Sequence, residues 1–366
     1  MTRVLVVDDS ALMRRLLGEV LQDDGGFEVA FARNGVEALS ELISFAPDVI
    51  TLDVNMPQMD GLTCLDRIMI ERPTPVVMVS SLTADGADET VEALALGAVD
   101  FVEKPSGAVS LQIEDLAPLL LEKIRAAAGA RIRRTHRLAE RVRTLHGERA
   151  LVAPKRRPKA GAPVATPPVD LPEEAPPGLV LVGCSTGGPP ALDALLEPLP
   201  ADFPWPILVA QHMPRAFTGP LARRLDGLCA LEVVEVVQPT PITPGRVYIG
   251  RGDADLIVTL RPQGLTAVAA PSSAEHRWHP SVDRLVDSAM ACIPAARLAG
   301  VLMTGMGDDG AAAMTRLRQA GGHTLAEAEE TAVVWGMPGE LVRAGGAAVV
   351  APLPDLASRL ISGLPR

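Results

Sequence analysis

Short apolar segments and helical segments alternate over the first hundred residues, and this alternation constrains the fold more than any other feature. Parallel strands need a crossover between them, so alternating strands and helices predict a doubly wound parallel sheet, an α/β fold. The predicted strands are Arg3 to Val7, Phe27 to Ala32, Asp48 to Asp53, Pro75 to Ser80 and Val99 to Val102. The predicted helices are Ser10 to Gln22, Gly35 to Phe45 and Asp85 to Leu96.

A second group of apolar strands follows beyond residue 176, so the 366-residue chain suits two domains. These strands are Leu179 to Val182, Pro206 to Ala210 and Arg297 to Met303. The chain is 48% hydrophobic but only 3% aromatic. Both cores should therefore be packed mainly by Ala, Val and Leu.

A glycine-rich turn after the first of these strands holds one hydroxyl, that of Ser185, between Gly183 and the pair Pro189-Pro190. Glycines permit left-handed backbone angles and prolines fit a helix start, so the segment predicts a strand, a tight turn and a helix. A phosphate-binding turn or a dinucleotide loop would look similar. The dinucleotide loop would need an acidic residue after the next strand, where Gln211-His212 stands instead.

Two further polar positions follow predicted strands in this half of the chain. His212 ends the second strand, and the third runs into Thr304-Gly305-Met306-Gly307 and then Asp308 and Asp309. The aspartates could simply cap the next helix. However, carboxyl ends of parallel strands meet at one edge, which predicts a Ser-His-Asp site built from Ser185, His212 and Asp309.

Such a site would perform acyl transfer to water, with His212 as the base and Asp309 as its orienter. Backbone amides of the turns would stabilise the oxyanion. The candidate donors are Thr186, Gly187, Gly188 and Met306. Cys184 adjoins Ser185 and is an alternative nucleophile, although its place nearer the strand predicts that it points toward packing.

Three carboxylates also stand at strand ends in the first hundred residues. Asp8 and Asp9 follow the first strand, and Asp53 ends the third. Clustered carboxylates repel one another unless a cation neutralises them, and all-oxygen ligands suit Mg²⁺. Ser80 and Lys104 add a hydroxyl and an ammonium at the same edge.

This constellation resembles a two-component receiver domain over residues 1 to about 122. The similarity includes the stretch from Asp53 to Gly61 and the stretch from Leu96 to Phe101. By that resemblance Asp53 is the phosphoacceptor and receives its phosphoryl group from a histidine kinase. Phe101 occupies the aromatic switch position. The resemblance further implies Asp8 and Asp9 as the acidic pair, phosphoryl contacts from Ser80 and Lys104, and Mg²⁺ ligands at Asp9, Asp53 and the Asn55 carbonyl.

The whole chain is similar to the chemotaxis protein-glutamate methylesterase family. The motifs that carry the similarity are Gly183 to Gly188, Gln211 to Pro214, Phe217-Thr218, Pro280 to Asp283, Thr304 to Gly310 and Gly336 to Pro338. The family hydrolyses glutamate methyl esters on methylated chemoreceptors, and some members deamidate glutamine. A phosphorylation-controlled adaptor without catalysis is the competing hypothesis.

Resemblance and composition together predict three regions. They are a flavodoxin-like receiver at 1–122, a basic helix and Pro/Ala-rich linker at 123–175, and a largely parallel α/β hydrolase domain at 176–366. The linker holds an arginine cluster from Arg131 to Arg143 and a tract from Pro158 to Pro177. The arginines could be a solvated helix face or a site for an acidic partner.

Charge and composition exclude several other classes. The formal net charge of −11 argues against nucleic-acid binding, and no zinc-finger or helix-turn-helix spacing stands out in the carboxyl half of the chain. The start becomes acidic at Asp8 and Asp9, too soon for a signal sequence, and no uninterrupted apolar segment of about 18 residues stands out. We therefore expect no membrane insertion and a cytoplasmic protein. The four cysteines are widely spaced and predict reduced thiols.

His276 and His279 could bind zinc, but matching ligands are missing nearby. We expect no cofactor for hydrolysis.

Overall fold

The computed structural model describes residues 1–80, 84–104, 109–130 and 176–364. The arginine cluster and most of the Pro/Ala-rich tract lie outside these residues. Within them the chain forms two α/β units, each built around its own parallel sheet. The two doubly wound sheets confirm the predicted fold class.

The sheet of the first unit has strand order β2-β1-β3-β4-β5, and its paired strands are all parallel. This is the flavodoxin-like order, in which the ends of the central strands form the ligand edge. The strands are β1 (Thr2–Val7), β2 (Phe27–Ala32), β3 (Val49–Asp53), β4 (Val76–Ser80) and β5 (Asp100–Glu103).

Helices cover both faces of this sheet. They are α1 (Ala11–Asp23), α2 (Gly35–Ser44), α3 (Gly61–Glu71), α4 (Ala84–Leu96) and α5 (Val109–Ala128). Helix α3 was not predicted from the sequence. It begins where the Asp60 side chain accepts a 2.7 Å hydrogen bond from the Thr63 amide. Helix α5 continues beyond the predicted boundary at residue 122.

The second unit contains a parallel sheet with order β15-β14-β13-β6-β7-β10-β8 among the described residues. Its strands are β6 (Leu179–Cys184), β7 (Ile207–Gln211), β8 (Glu232–Val236), β10 (Arg246–Gly250), β13 (Leu298–Leu302), β14 (His323–Glu327) and β15 (Val349–Ala351). Strands β13, β6 and β7 are neighbours, so the loops that follow them lie side by side.

An antiparallel sheet, which the sequence analysis did not predict, packs beside the parallel one. It consists of β9 (Thr240–Pro241), β11 (Ala254–Arg261) and β12 (Gly264–Pro271), in the order β11-β12-β9. Strands β11 and β12 form a hairpin whose last pair is Arg261 and Gly264. The loop after β12 leads back to the carboxyl edge of the parallel sheet.

The helices of the second unit cover its parallel sheet. They are α6 (Gly188–Leu196), α7 (Arg215–Leu228), α8 (Val282–Cys292), α9 (Ala311–Gln319), α10 (Met337–Arg343) and α11 (Leu353–Gly363), with a 3₁₀ turn at Ala295–Arg297. The buried side chains are mostly aliphatic, as the composition predicted. Burial of each large aliphatic side chain contributes about 1.5–3 kcal/mol. Among the described residues, no helix has both the length and the apolar character needed to cross a membrane.

Candidate functional site

The turn after β6 presents Ser185 at the carboxyl edge of the sheet. Gly187 has φ 75°, a left-handed angle that glycine adopts without a Cβ clash, and it precedes the proline-led start of α6. The Ser185 amide donates a 3.0 Å hydrogen bond to the Thr304 carbonyl in the loop after β13. Position 305 must also be glycine, because a Cβ there would lie 2.7 Å from the Ser185 Cβ. The two loops are therefore in direct contact.

His212 follows β7 and lies beside the same turn. Its backbone amide donates to the Cys184 carbonyl at 3.0 Å, which ties the end of β7 to the end of β6. Its imidazole Nε2 lies 2.8 Å from the Asp309 Oδ2 atom, with both side chains buried. The structure therefore brings the predicted base and orienter together.

Asp309 occupies a nest of hydrogen-bond donors at the start of α8. Its carboxylate accepts from the Ser281 hydroxyl at 3.1 Å and from the amides of Val282 and Asp283 at 2.7 and 3.0 Å. Burial raises the pKa of Asp309, but the His212 contact and these amides outweigh it and hold the pKa below its ordinary value. The neighbouring Asp308 is exposed. Asp309 is thus an ionised carboxylate at neutral pH.

Ser185 and His212 are not hydrogen-bonded to each other in this structure. The His212 Nδ1 atom is buried and has no hydrogen-bond partner among the described residues. Since Nε2 is engaged by Asp309, Nδ1 is the ring nitrogen left to accept a proton. The hydroxyl of Ser185 lies on the turn to which the His212 backbone is tied.

The four candidate oxyanion amides fall into two pairs. The Gly187 amide donates to the Val99 carbonyl of the first unit at 3.1 Å, and the Gly188 amide donates to the Ser185 carbonyl at 2.8 Å. No described residue accepts a hydrogen bond from the amides of Thr186 or Met306. These two amides flank Ser185 from two different loops.

The thiol of Cys184 faces the protein interior. It is fully buried, its Sγ atom donates to the Gln211 Oε1 atom at 3.0 Å, and burial raises its pKa, assisted by the charge of Glu327. A buried, protonated thiol is a poor nucleophile. The geometry therefore favours Ser185 over the alternative.

The two candidate zinc ligands have different surroundings. His279 Nδ1 lies 2.9 Å from a carboxylate oxygen of the buried Asp255. His276 instead lies near Asp283 and Asp309, with ligand atoms within 4.8 Å of one another. No metal-ligand group among the described residues contains both histidines.

The three carboxylates of the first unit converge at the end of its sheet. Oxygen atoms of Asp8, Asp9 and Asp53 all lie within 4.8 Å of one another. Lys104 Nζ lies 2.9 Å from Asp8 and 2.8 Å from Asp53. Burial raises the pKa of Asp53, and the charge of Asp8 adds to this while Lys104 opposes it. One ammonium cannot balance three carboxylates, so this oxygen cluster fits a divalent cation such as Mg²⁺.

The other predicted receiver residues lie around this cluster. The Asn55 amide donates to Asp53 at 3.4 Å. Ser80 is buried, and its hydroxyl contacts the Gly86 carbonyl at 3.2 Å and the Thr90 hydroxyl at 2.7 Å. The Ser80 hydroxyl is thus hydrogen-bonded to two residues of α4.

Phe101 lies against the second unit. Its ring centroid is 4.3 Å from that of Phe217 on α7. Next to it, the Thr186 hydroxyl donates to Asp100, whose other oxygen accepts from Lys123 at 2.7 Å. The start of β5 therefore contacts both the Ser185 turn and α7. Sequence reasoning missed these contacts, because Asp100 and Thr186 show no pattern that predicts their pairing.

Two ion pairs flank this contact between the units. Arg223 lies 2.8 Å from Asp88 of α4, and Arg277 lies 2.6 Å from Glu122 of α5. Both arginines are largely exposed, with side chains 66% and 69% accessible. Exposed pairs are worth little individually, so we expect each of them to contribute less to the interface than the buried contacts at Asp100 and Phe101.

Comparison with known proteins supports the division seen in the structure. Residues 4–114 match the model of the response regulator receiver domain, and residues 180–360 match that of the CheB methylesterase. A protein-glutamate methylesterase/protein-glutamine glutaminase of Rhodopseudomonas palustris is 57% identical over 99% of this chain and 98% of its own length. The chain belongs to the CheB methylesterase family.

Two further proteins are similar to this chain. One from Rhodospirillum rubrum, with the same protein-glutamate methylesterase/protein-glutamine glutaminase name, is 52% identical over 100% of this chain and 97% of its own length. The Thermotoga maritima CheB methylesterase catalytic domain is 37% identical, with a TM-score of 0.49 over 50% of this chain and 97% of that one. The two full-length relatives show that the family membership covers both units of the chain.

Proposed function

We propose that this protein is a phosphorylation-regulated serine hydrolase that demethylates glutamate methyl esters on chemoreceptors and releases methanol. The observation that carries the proposal is the buried His212–Asp309 pair beside the Ser185 turn, together with the amides of Thr186 and Met306, which have no hydrogen-bond acceptor among the described residues. Glutamine deamidation is the related reaction on the same site, since the relatives carry both activities in their names.

In the first half of the reaction, Ser185 attacks the ester carbonyl as its proton passes to His212 Nδ1. Asp309 stabilises the imidazolium through Nε2, and its low pKa keeps it ionised throughout. The amides of Thr186 and Met306 stabilise the negative oxygen of the tetrahedral intermediate. Collapse of the intermediate gives the acyl-enzyme, and the imidazolium proton leaves with methoxide as methanol.

In the second half, water attacks the acyl-enzyme. His212 takes a proton from that water and returns it to the Ser185 oxygen as the acyl bond breaks. The product is a glutamate carboxylate on the receptor. With a glutamine side chain the same steps release ammonia in place of methanol.

Phosphorylation belongs to the first unit. Asp53 would accept a phosphoryl group from a histidine kinase, and Lys104 would contact the added oxygens from its position between Asp53 and Asp8. Asp9, Asp53 and the Asn55 carbonyl would hold Mg²⁺, which supplies charge neutralisation for the transfer. Ser80 would rotate from α4 toward the phosphoryl group.

The receiver inhibits the hydrolase by covering the Ser185 turn. Asp100 accepts a hydrogen bond from the Thr186 hydroxyl, and the Val99 carbonyl accepts one from the Gly187 amide. Both donors lie in the turn that a substrate would approach. Phe101, next along β5, packs on Phe217. Movement of Ser80 and Phe101 after phosphorylation of Asp53 would weaken these contacts and open the site.

The test is methanol release from methylated receptor, with and without a phosphodonor. Ser185→Ala should keep the fold and lower turnover by roughly 10⁴-fold or more, because members of a triad act as a unit. Asp53→Asn should keep basal activity and lose its stimulation by the phosphodonor. Phosphorylation and receptor binding without methanol release would instead support the adaptor hypothesis.

A further inference from the structure

Trp278 packs on the face of the His212 imidazole. The two rings are stacked, with centroids 5.6 Å apart and planes 10° from parallel. Trp278 lies in the loop between β12 and α8, and its indole Nε1 lies beside Gly307, which has φ 79°. A ring in this place restricts rotation of the imidazole about its Cβ–Cγ bond.

Arg277 links the Trp278 indole to the receiver. The Arg277 guanidinium carbon lies 4.6 Å from the Trp278 ring centroid, a cation–π contact. The same guanidinium lies 2.6 Å from the carboxylate of Glu122 on α5. Glu122, Arg277, Trp278 and His212 thus form a continuous series of contacts from the receiver to the base, which we name the tryptophan relay.

The state of His212 in this receiver-docked form indicates what the relay does. Its Nε2 is held by Asp309, while its buried Nδ1 has no partner among the described residues and no bond to Ser185. The plane of the ring decides whether Nδ1 can face the hydroxyl. The Trp278 ring lies nearly parallel to that plane, with its centroid 5.6 Å from that of the imidazole.

We propose that Trp278 is a positioning residue for His212, and that the docked receiver uses it, through Glu122 and Arg277, to keep the imidazole off Ser185. The receiver therefore restrains the hydrolase in two ways, by covering the Ser185 turn and by holding the base. When the receiver moves away, Arg277 loses Glu122, Trp278 is released and the ring can turn its Nδ1 toward Ser185.

The first test uses the full chain and measures methanol release at several concentrations of methylated receptor. Trp278→Ala should raise kcat without phosphodonor by roughly two- to ten-fold, the range expected for loss of one aromatic contact, and leave KM unchanged. With phosphodonor its kcat should stay within about two-fold of the wild type. Trp278→Phe keeps a flat ring and should restore the wild-type ratio. An equal fall of kcat in both states, with no rescue by phenylalanine, would overturn the proposal.

The second test separates the relay from general loosening of the interface. Glu122→Gln should raise kcat without phosphodonor by up to about five-fold, and this effect should vanish in the Trp278→Ala background. Asp88→Asn breaks the comparable exposed pair with Arg223, which does not touch Trp278. Its effect should persist in that background. Persistence of the Glu122 effect without Trp278 would refute the relay.

The relay rests on the proposed function, so a readout independent of turnover keeps the two separable. Trp278 emission is obtained as the difference between each chain and its Trp278→Phe counterpart. The phosphodonor should change this emission in the wild type, and Glu122→Gln should show the changed emission beforehand. Failure of wild-type methanol release would reject the proposed function alone, while emission that is insensitive to both perturbations would reject the relay alone.

Discussion

The hydrogen bond between the Thr186 hydroxyl and Asp100 is a buried polar contact that joins the receiver to the Ser185 turn, beside the bond between the Gly187 amide and the Val99 carbonyl. Thr186→Val removes the hydroxyl, keeps the shape of the side chain and leaves the backbone amide in place. Thr186 is 2% exposed and Asp100 is 7% exposed, so water would not easily replace the lost donor. The variant therefore perturbs docking with little direct effect on the amides.

The magnitude follows from the charge on the acceptor. Hydrogen bonds to charged groups contribute about 1.5–3 kcal/mol, so the docked state should lose stability by that amount. The ratio of undocked to docked chain then rises by about 10- to 150-fold. Methanol release without phosphodonor should rise by the same factor, until the undocked form predominates.

The assay compares Thr186→Val with the wild type in both phosphorylation states. With phosphodonor the two chains should agree within about two-fold, because the contact is already broken. Thr324→Val is the matched control, since Thr324 is also buried but bonds the Gly346 carbonyl at 2.6 Å inside the second unit. Unchanged basal release in Thr186→Val, or an equal loss in both states, would refute the view that this contact restrains the enzyme.

Three further predictions test separate parts of the structure. Because the pKa of Asp309 is lowered in the folded state, its contribution to stability is present above about pH 4 and is lost as the pH falls through the folded pKa. The difference in Tm between the wild type and Asp309→Asn, measured by calorimetry, should therefore shrink over that range. Mg²⁺ at about 100 times its Kd should stabilise the receiver by about 2.7 kcal/mol in thermal unfolding. Asp9→Asn, at an exposed position, should abolish this stabilisation. An equal stabilisation by Mg²⁺ in the variant would place the ion elsewhere. Cys184→Ala should keep kcat for methanol release within about five-fold, since its thiol is buried; a loss as large as that of Ser185→Ala would make the thiol the nucleophile.

Both parallel sheets could be predicted because their strands are apolar runs that end in polar turns. Helix α3 was missed since its start lies in the polar stretch after Asp53, where Asp60 as an N-cap was the available signal. The hairpin of β11 and β12 was also missed, although Pro262-Gln263 between two apolar runs is a turn signal. Local patterns were therefore present in both places.

The candidate site was predictable only as far as the sheet determines it. Strand ends placed Ser185, His212 and Asp309 at one edge, because the carboxyl ends of adjacent parallel strands meet there. The nest of amides around Asp309 and the stacking of Trp278 depend on how a distant loop docks. Contacts between the two units depend on the complementary shapes of their surfaces. The hydrophobic periodicity of a sequence does not predict such contacts.

The Val99 carbonyl on the Gly187 amide has a consequence for how such an enzyme can evolve. The Gly187 amide belongs to the same turn as Ser185 and Thr186, so the backbone conformation of this turn serves docking of the receiver as well as the proposed catalysis. A substitution that shifts the turn should therefore change both basal methanol release and its stimulation by the phosphodonor. Substitutions that alter only one of these two properties should lie outside the turn.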